Sequence, residues 1–137
     1  MKIALGLFCL FNSLIVFGQQ EFDKKIIIKV IDSNSIYEKL KTILVINDFI
    51  VKEFGRKDTL STYSREAGNV GYAIANLKLE GSIIILTGIY GTKKLTYTGY
   101  SNPAKNYQPI SFYKGSKSWK LLMNIANSIG GEISYSK

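Results

Sequence analysis

Histidine is absent from all 137 residues of the chain, and cysteine occurs once, at Cys9. Without histidine, the usual base of a nucleophile-base pair is missing, and a zinc site loses one of its favoured ligands. Cys9 lies in an apolar N-terminal stretch, so removal of that stretch leaves a domain without disulfides, thiol nucleophiles or thiolate ligands. These absences exclude the most common catalytic and metal-binding arrangements.

Acidic side chains are few and dispersed, 10 against 18 lysines and arginines. Their spacing does not fit a calcium loop, which needs carboxylates at close and regular intervals. A Ser-Lys pair, or two carboxylates that meet in space, stay open as catalytic arrangements, although no spacing points to either. We therefore predict no catalytic residue, no metal ligand and no cofactor, and we expect that the protein is not an enzyme.

The N-terminus has the pattern of a secretory signal peptide. One positive charge at Lys2 precedes an apolar stretch, residues 3–17, and the small residue Gly18 follows it. A transmembrane helix needs about 20 apolar residues, and this stretch is shorter and contains Asn12 and Ser13. We predict a signal peptide, 1–18, and a single exported domain, 19–137, periplasmic or extracellular, with no transmembrane segment after cleavage. A retained anchor is the alternative.

The expected mature domain is basic. Loss of residues 1–18 removes one lysine and lowers the net charge from +8 to +7. Such a charge favours acidic partners, whether anionic lipid, anionic polysaccharide, an acidic protein face or nucleic acid, and export argues against nucleic acid. The simpler alternative is that the lysines only keep an exported domain in solution.

Hydrophobic periodicity predicts an α+β domain with the order β-α-β-β-β-β-α. The isoleucine-rich run 24–31 indicates a strand that is mostly buried on both faces. Ser35 and Glu38 have the form of a capping box, and a helix follows with one apolar face: Ile36, Leu40, Ile43 and Leu44. Two further strands are expected at 49–54 and 59–65.

A hairpin is the clearest feature of the second half of the chain. Its strands, 72–79 and 83–90, alternate in polarity and are joined by Glu80-Gly81-Ser82. Gly88 inside the second strand indicates a bulge or bend. A second helix starts near Ser116 or Ser118 and ends at Gly130-Gly131, and a short last strand, 133–135, is possible. The apolar face of this second helix comprises Trp119, Leu122, Met123, Ala126 and Ile129.

Residues 91–115 form a long loop in this interpretation, with three glycines, two prolines, four tyrosines and four lysines. Short strands at 95–100 or 110–113 are possible within it. Tyrosines stack on bases or sugar rings while lysines meet phosphate or carboxylate, and tyrosine is also favoured at protein interfaces. The candidate partner-binding residues are Lys93, Lys94, Tyr97, Tyr100 and Tyr107. The alternative is that about half of the tyrosines in this region pack on the sheet and that the lysines are ordinary surface.

The order of these elements carries a resemblance to a known fold. It rests on the helix Ser35 to Asn47, the segment Asp58 to Thr62 after a polar turn, the hairpin bend Leu77 to Gly81, and the closing helix from Trp119. The arrangement resembles the TATA-box-binding-protein-like fold, a curved antiparallel sheet with two helices on one face. It is similar to small exported envelope domains of unknown function and to domains of the lipoprotein subunit of outer-membrane barrel assembly. The resemblance implies a fold and no activity.

Taken together, the predicted export, the basic charge and the lack of reactive side chains favour a non-catalytic interaction module of the envelope or secreted space. We expect it to bind another envelope protein through an exposed sheet face, a sheet edge or the loop at 91–115. The alternative is an electrostatic binder of anionic polysaccharide or lipid that uses the lysines and tyrosines of that loop.

Overall fold

The computed structural model describes residues 18–52, 55–67, 71–92, 107–113 and 116–137. These residues form one antiparallel sheet of eight strands and two helices. The strands are β1 Lys25–Lys29, β2 Val51–Lys52, β3 Thr59–Thr62, β4 Arg65–Glu66, β5 Tyr72–Glu80, β6 Ile83–Gly91, β7 Tyr107–Pro109 and β8 Glu132–Ser136. The helices are α1 Ile36–Ile46 and α2 Lys117–Ile129. Across the sheet the strand order is β2-β3-β5-β6-β1-β8, while β4 pairs with β5 and β7 pairs with β6.

The α+β class and the antiparallel sheet with two helices are confirmed, but the predicted order of elements is incomplete. The single strand expected at 59–65 is split into β3 and β4, because its register against β5 shifts by one residue. Ser61 lies opposite Asn76 and Arg65 lies opposite Ala73, so three residues of this strand face two residues of β5, as in a β-bulge. The short strand β7 lies where a long loop was expected. The last strand, β8, is present and pairs with β1.

The predicted hairpin is confirmed, with strands β5 and β6. Their register runs without interruption from Tyr72 opposite Gly91 to Glu80 opposite Ile83. A two-residue turn closes it, and Gly81 adopts φ 61° there, a left-handed conformation that suits glycine in tight hairpins.

Gly88 does not form the predicted bulge, since it lies directly opposite Ala75 in that continuous register. A Cβ atom at Gly88 would lie 2.7 Å from Cδ1 of Ile110 and 3.0 Å from Cδ2 of Leu122. Both of those side chains are almost fully buried. Glycine is therefore required at this position by the close approach of α2 and the segment after β7.

The two helices begin in different ways. Ser35, before α1, has φ 57° and its side chain makes no capping hydrogen bond, so the predicted capping box is wrong. A left-handed backbone at this position differs from the extended backbone of an ordinary N-cap. Ser116, before α2, is extended, and its Oγ accepts from the Trp119 N–H at 3.2 Å. The predicted cap and the predicted stop at Gly130 are both confirmed for α2.

The core lies between one face of the sheet and the helices. Four residues, one on each of neighbouring strands, line up across that face, and each is at most 1% exposed: Ile26, Leu86, Leu77 and Leu60. The same buried cluster includes the apolar faces of both helices, among them Leu40 and Leu44 of α1 and Leu122 and Ile125 of α2. The predicted apolar face of α1 is thus confirmed.

Replacing Gly88 with valine should destabilise the fold by about 1–3 kcal/mol, because the added methyl groups overpack a closed site. Valine otherwise suits strands, so propensity would act in the opposite direction. Urea unfolding measures the change. Thr87→Val is the matched control, since Thr87 is adjacent and faces the other side of the sheet, and its effect should stay within about 0.5 kcal/mol. Equal midpoints for the wild type and Gly88→Val would contradict this role of Gly88.

Candidate functional site

The sheet has a second face, which we call the open face. Side chains of a strand alternate between the two sides, so the neighbours of the buried core residues point away from the helices. Ile27, Ile83 and Ile85 are such neighbours, and none of them belongs to the buried core cluster. Ile27 lies directly opposite Ile85, and Ile83 lies opposite Lys29. We define the open face by these three isoleucines and the lysines beside them: Lys25, Lys29 and Lys78.

The isoleucines of the open face keep contact with solvent. Ile83 is 38% exposed, and Ile27 and Ile85 are half-buried. The sequence interpretation of 24–31 as buried on both faces is therefore wrong for the outward side of β1. Every second residue of β1 on this side, Lys25, Ile27 and Lys29, indicates a half-exposed strand because two of the three are charged. The buried isoleucines between them make the whole run look apolar.

The open face carries excess positive charge. Lys25 and Lys29 are exposed and form no ion pair with any side chain in the part of the chain that the structure describes. Lys78 pairs with Glu80, Nζ to Oε1, at 3.0 Å. Glu132 lies opposite Lys29 in the register of β1 and β8. The isoleucines are thus flanked by three lysines, of which Lys78 pairs with Glu80 and Lys29 has Glu132 as its cross-strand neighbour.

The β8 end of the sheet is an edge. Among the described residues β8 pairs with β1 alone. Val30 N–H donates to the Ser82 carbonyl at 2.9 Å, which continues the ladder between β1 and β6. In an antiparallel ladder the bonding direction alternates along a strand, so Lys29 and Ile27 direct their backbone groups toward β8. Their partners there are Glu132 and Ser134. The residues between and beyond these partners, Ile133 and Tyr135, therefore turn their backbone groups outward. The open face therefore ends at a strand with backbone donors and acceptors available to a partner.

A hollow lies where the open face meets this edge. It measures about 420 Å³ and is lined by Lys29, Val30, Ile31, Ser82, Gly131 and Glu132. Ile31 is completely exposed. The hollow therefore extends the apolar character of the open face toward the end of β1, with one lysine and one glutamate in its lining.

On the side of the sheet that faces away from the helices, the end next to β7 is covered. Ile74 and Tyr107 are 7% and 4% exposed, yet neither belongs to the main core cluster. Ile74 lies opposite Ile89, which in turn lies opposite Pro109, and Tyr107 lies opposite Gly91. A second, smaller buried region thus occupies the β7 end of this side.

Of the candidate residues from the sequence, only Tyr107 falls within the described structure. Lys93, Lys94, Tyr97 and Tyr100 lie outside the described residues, so the hypothesis of a binding loop stays a prediction. Tyr107 lies in β7 and is buried, as expected for a tyrosine that packs on the sheet. Sequence reasoning did not single out Ile27, Ile83 and Ile85.

The described residues offer little reactive chemistry. No group of three His, Cys, Asp or Glu side chains among them is placed to hold a metal ion. Hydrogen bonding from Arg56 holds the pKa of Asp58 below its usual value of 3.8, and the two side chains pair at 3.0 Å within an exposed turn. Helices α1 and α2, the helices of the described ranges, are too short or too polar to cross a membrane.

Exchanging a β-branched isoleucine for threonine should distinguish the two sides of β6. Ile84→Thr removes buried apolar surface and buries a hydroxyl, so we expect a loss of about 2–4 kcal/mol in unfolding free energy. Ile83→Thr, one residue earlier on the open face, should cost less than about 1 kcal/mol. Chemical denaturation of both variants provides the comparison. Equal losses at the two positions would show that the open face is not open.

Comparison with known proteins gives no template for this surface. No protein-family model matches the chain, no curated protein matches it, and no solved structure matches it. The assignment of a function therefore rests on the geometry and charge of the open face.

Proposed function

We propose that the protein is a non-catalytic interaction module of the cell envelope or secreted space, which binds another exported protein through the open face. The observation that carries the proposal is the group Ile27, Ile83 and Ile85, left in contact with solvent and flanked by lysines. Apolar side chains surrounded by polar ones have the composition of a protein interface, with an apolar centre and a polar rim.

The lysines indicate the chemistry of the partner. Lys25 and Lys29 flank Ile27 on β1 and are exposed, and the whole chain carries a net charge of +8. An acidic surface with apolar side chains at its centre complements this arrangement, and opposite charges also accelerate encounter. We therefore infer an acidic protein partner, with export supplied by the signal peptide predicted at 1–18.

The resemblance to the TATA-box-binding-protein-like fold supports the same interpretation. In that arrangement a curved sheet has helices on one face and leaves the other available. The antiparallel sheet, with helices α1 and α2 packed on one side, is consistent with the proposal. We propose this fold relationship for its geometry alone, because function does not follow from a fold.

An electrostatic binder of anionic polysaccharide or lipid is the second candidate. The exposed Lys25 and Lys29, without an ion pair among the described residues, favour it. Such binding weakens steeply as salt rises, whereas an interface with an apolar centre retains affinity at high salt. Salt dependence therefore separates the two candidates.

Capture experiments on variants test the proposal. The chain is expressed with its own leader, purified after export, and used to capture proteins from an envelope extract at low and high salt. Lys25→Glu with Lys29→Glu, and separately Ile27→Ser, should each reduce the recovery of the partner at least tenfold, because they remove charge complementarity and apolar contact respectively. Quantitative mass spectrometry measures the recovery.

The matched control is Lys117→Glu with Lys120→Glu, which makes the same change of charge on α2, away from the open face. It should retain the partner. Loss of capture in the control but not in the open-face variants would contradict the proposal. If the protein retains only polyanion, and only at low salt, the electrostatic binder would replace the proposed interaction module.

A further inference from the structure

Gln19 occupies a defined position on the surface of the domain. Its side-chain Nε2 lies 3.1 Å from the hydroxyl of Tyr135 in β8 and 3.8 Å from the sulfur of Met123 in α2. The residue itself is exposed. Cleavage after Gly18, as the signal pattern predicts, would make this glutamine the first residue of the mature chain. The new N-terminus would then lie against the fold.

The residues after Gln19 hold it in this place. Gln20 N–H donates to Asp23 Oδ2 at 2.8 Å, and Asp23 N–H donates back to the carbonyl of Gln20 at 3.1 Å. Phe22 N–H and the Phe112 carbonyl are 2.8 Å apart, and Lys24 N–H lies 2.9 Å from the carbonyl of Ser136. Hydrogen bonds therefore fix the segment that follows Gln19 to two other parts of the domain.

The charged groups around Gln19 are already paired with one another. Asp23 is 4% exposed and already faces Lys137, whose Nζ lies 3.8 Å from its Oδ1. Lys120 lies on α2 one turn before Met123, and side chains at this spacing are neighbours on a helix. The buried carboxylate closest to Gln19 in sequence therefore already has two partners, the Gln20 N–H and the Lys137 ammonium group.

We infer that Gln19 is a modification site, cyclised to pyroglutamate once the leader is removed. The α-amino nitrogen attacks Cδ of the same residue, the N–Cδ bond forms, the Cδ–Nε2 bond breaks, and ammonia leaves with a proton from the amine. No oxidant, reductant or co-reactant is consumed. An α-amino group has a pKa of about 7.7–8.0, so a nucleophilic fraction exists near neutral pH. The product is a neutral five-membered lactam.

The lactam suits the site that the structure shows. Cyclisation removes Nε2 and the terminal charge but keeps the carbonyl oxygen Oε1. The Tyr135 hydroxyl, which both donates and accepts, then donates to that carbonyl in place of accepting from Nε2. Tyr135 also contacts Trp119, with 6.2 Å between ring centroids, so the neutral ring lies beside an aromatic cluster. The inference requires export and is independent of the proposed binding function.

Mass spectrometry of the exported protein tests the inference. The full chain is expressed with its own leader, the mature form is purified, and the intact mass and N-terminal peptide are measured at once and after incubation at neutral pH. We expect a chain that starts at residue 19, lighter than its sequence by one ammonia and unreactive at its N-terminus toward amine reagents.

Two variants serve as controls. Gln19→Asn has a side chain one methylene shorter, does not form the five-membered lactam, and should keep a free amine. Gln20→Asn leaves Gln19 in place and should cyclise like the wild type. A mature chain that still carries an uncyclised Gln19 after incubation would overturn the inference, as would a mature chain that starts elsewhere or an uncleaved leader. None of these outcomes involves a binding partner. A cleaved chain that fails to cyclise therefore leaves the open-face proposal intact, whereas an uncleaved leader would also contradict the signal peptide that this proposal assumes.

Discussion

The two-residue period of strands β1 and β6 is the constraint on which the rest of the structure depends. It directs Ile26, Ile28, Ile84 and Leu86 into the core and places Ile27, Ile83 and Ile85 on the other side. A shift of one residue in the register would reverse every one of these positions. The central position of β6, paired with both β1 and β5, therefore fixes the faces of the whole sheet. The packing of both helices on one side follows from it.

Much of this fold is predictable from sequence where the pattern is local. The hairpin of β5 and β6, the α2 cap at Ser116 and the apolar faces of the helices depend on neighbouring residues and turn chemistry. Gly88 illustrates the limit. Its role is set by Ile110 and Leu122, which are distant in sequence, so a glycine within a strand resembled a bulge. Ser35 is a similar case, because its left-handed backbone is not visible in a sequence that matches a capping box.

The candidate site was less predictable than the fold. Attention to aromatic and basic residues led to the segment around Tyr97 and Tyr100, while the open face is built from isoleucines, which ordinarily indicate a core. Ile26, Ile27 and Ile28 are identical in chemistry, and only the sheet register assigns the middle one to the outside. Which of the two sides the helices cover is decided by long-range packing. The flanking residues Lys25 and Lys29 were the available local clue, because charged side chains are seldom fully buried.

Thiol labelling across β1 tests the central claim, the division of the sheet into a covered and an open face, most directly. Cys9 is the only natural cysteine, so Ile27→Cys and Ile28→Cys in a Cys9→Ser background each give a protein with one thiol. The structure predicts that the thiol at position 27 reacts with a small reagent in the native protein, while the thiol at position 28 reacts only after unfolding. Rapid labelling at 28, or protection at 27 equal to that at 28, would contradict the account.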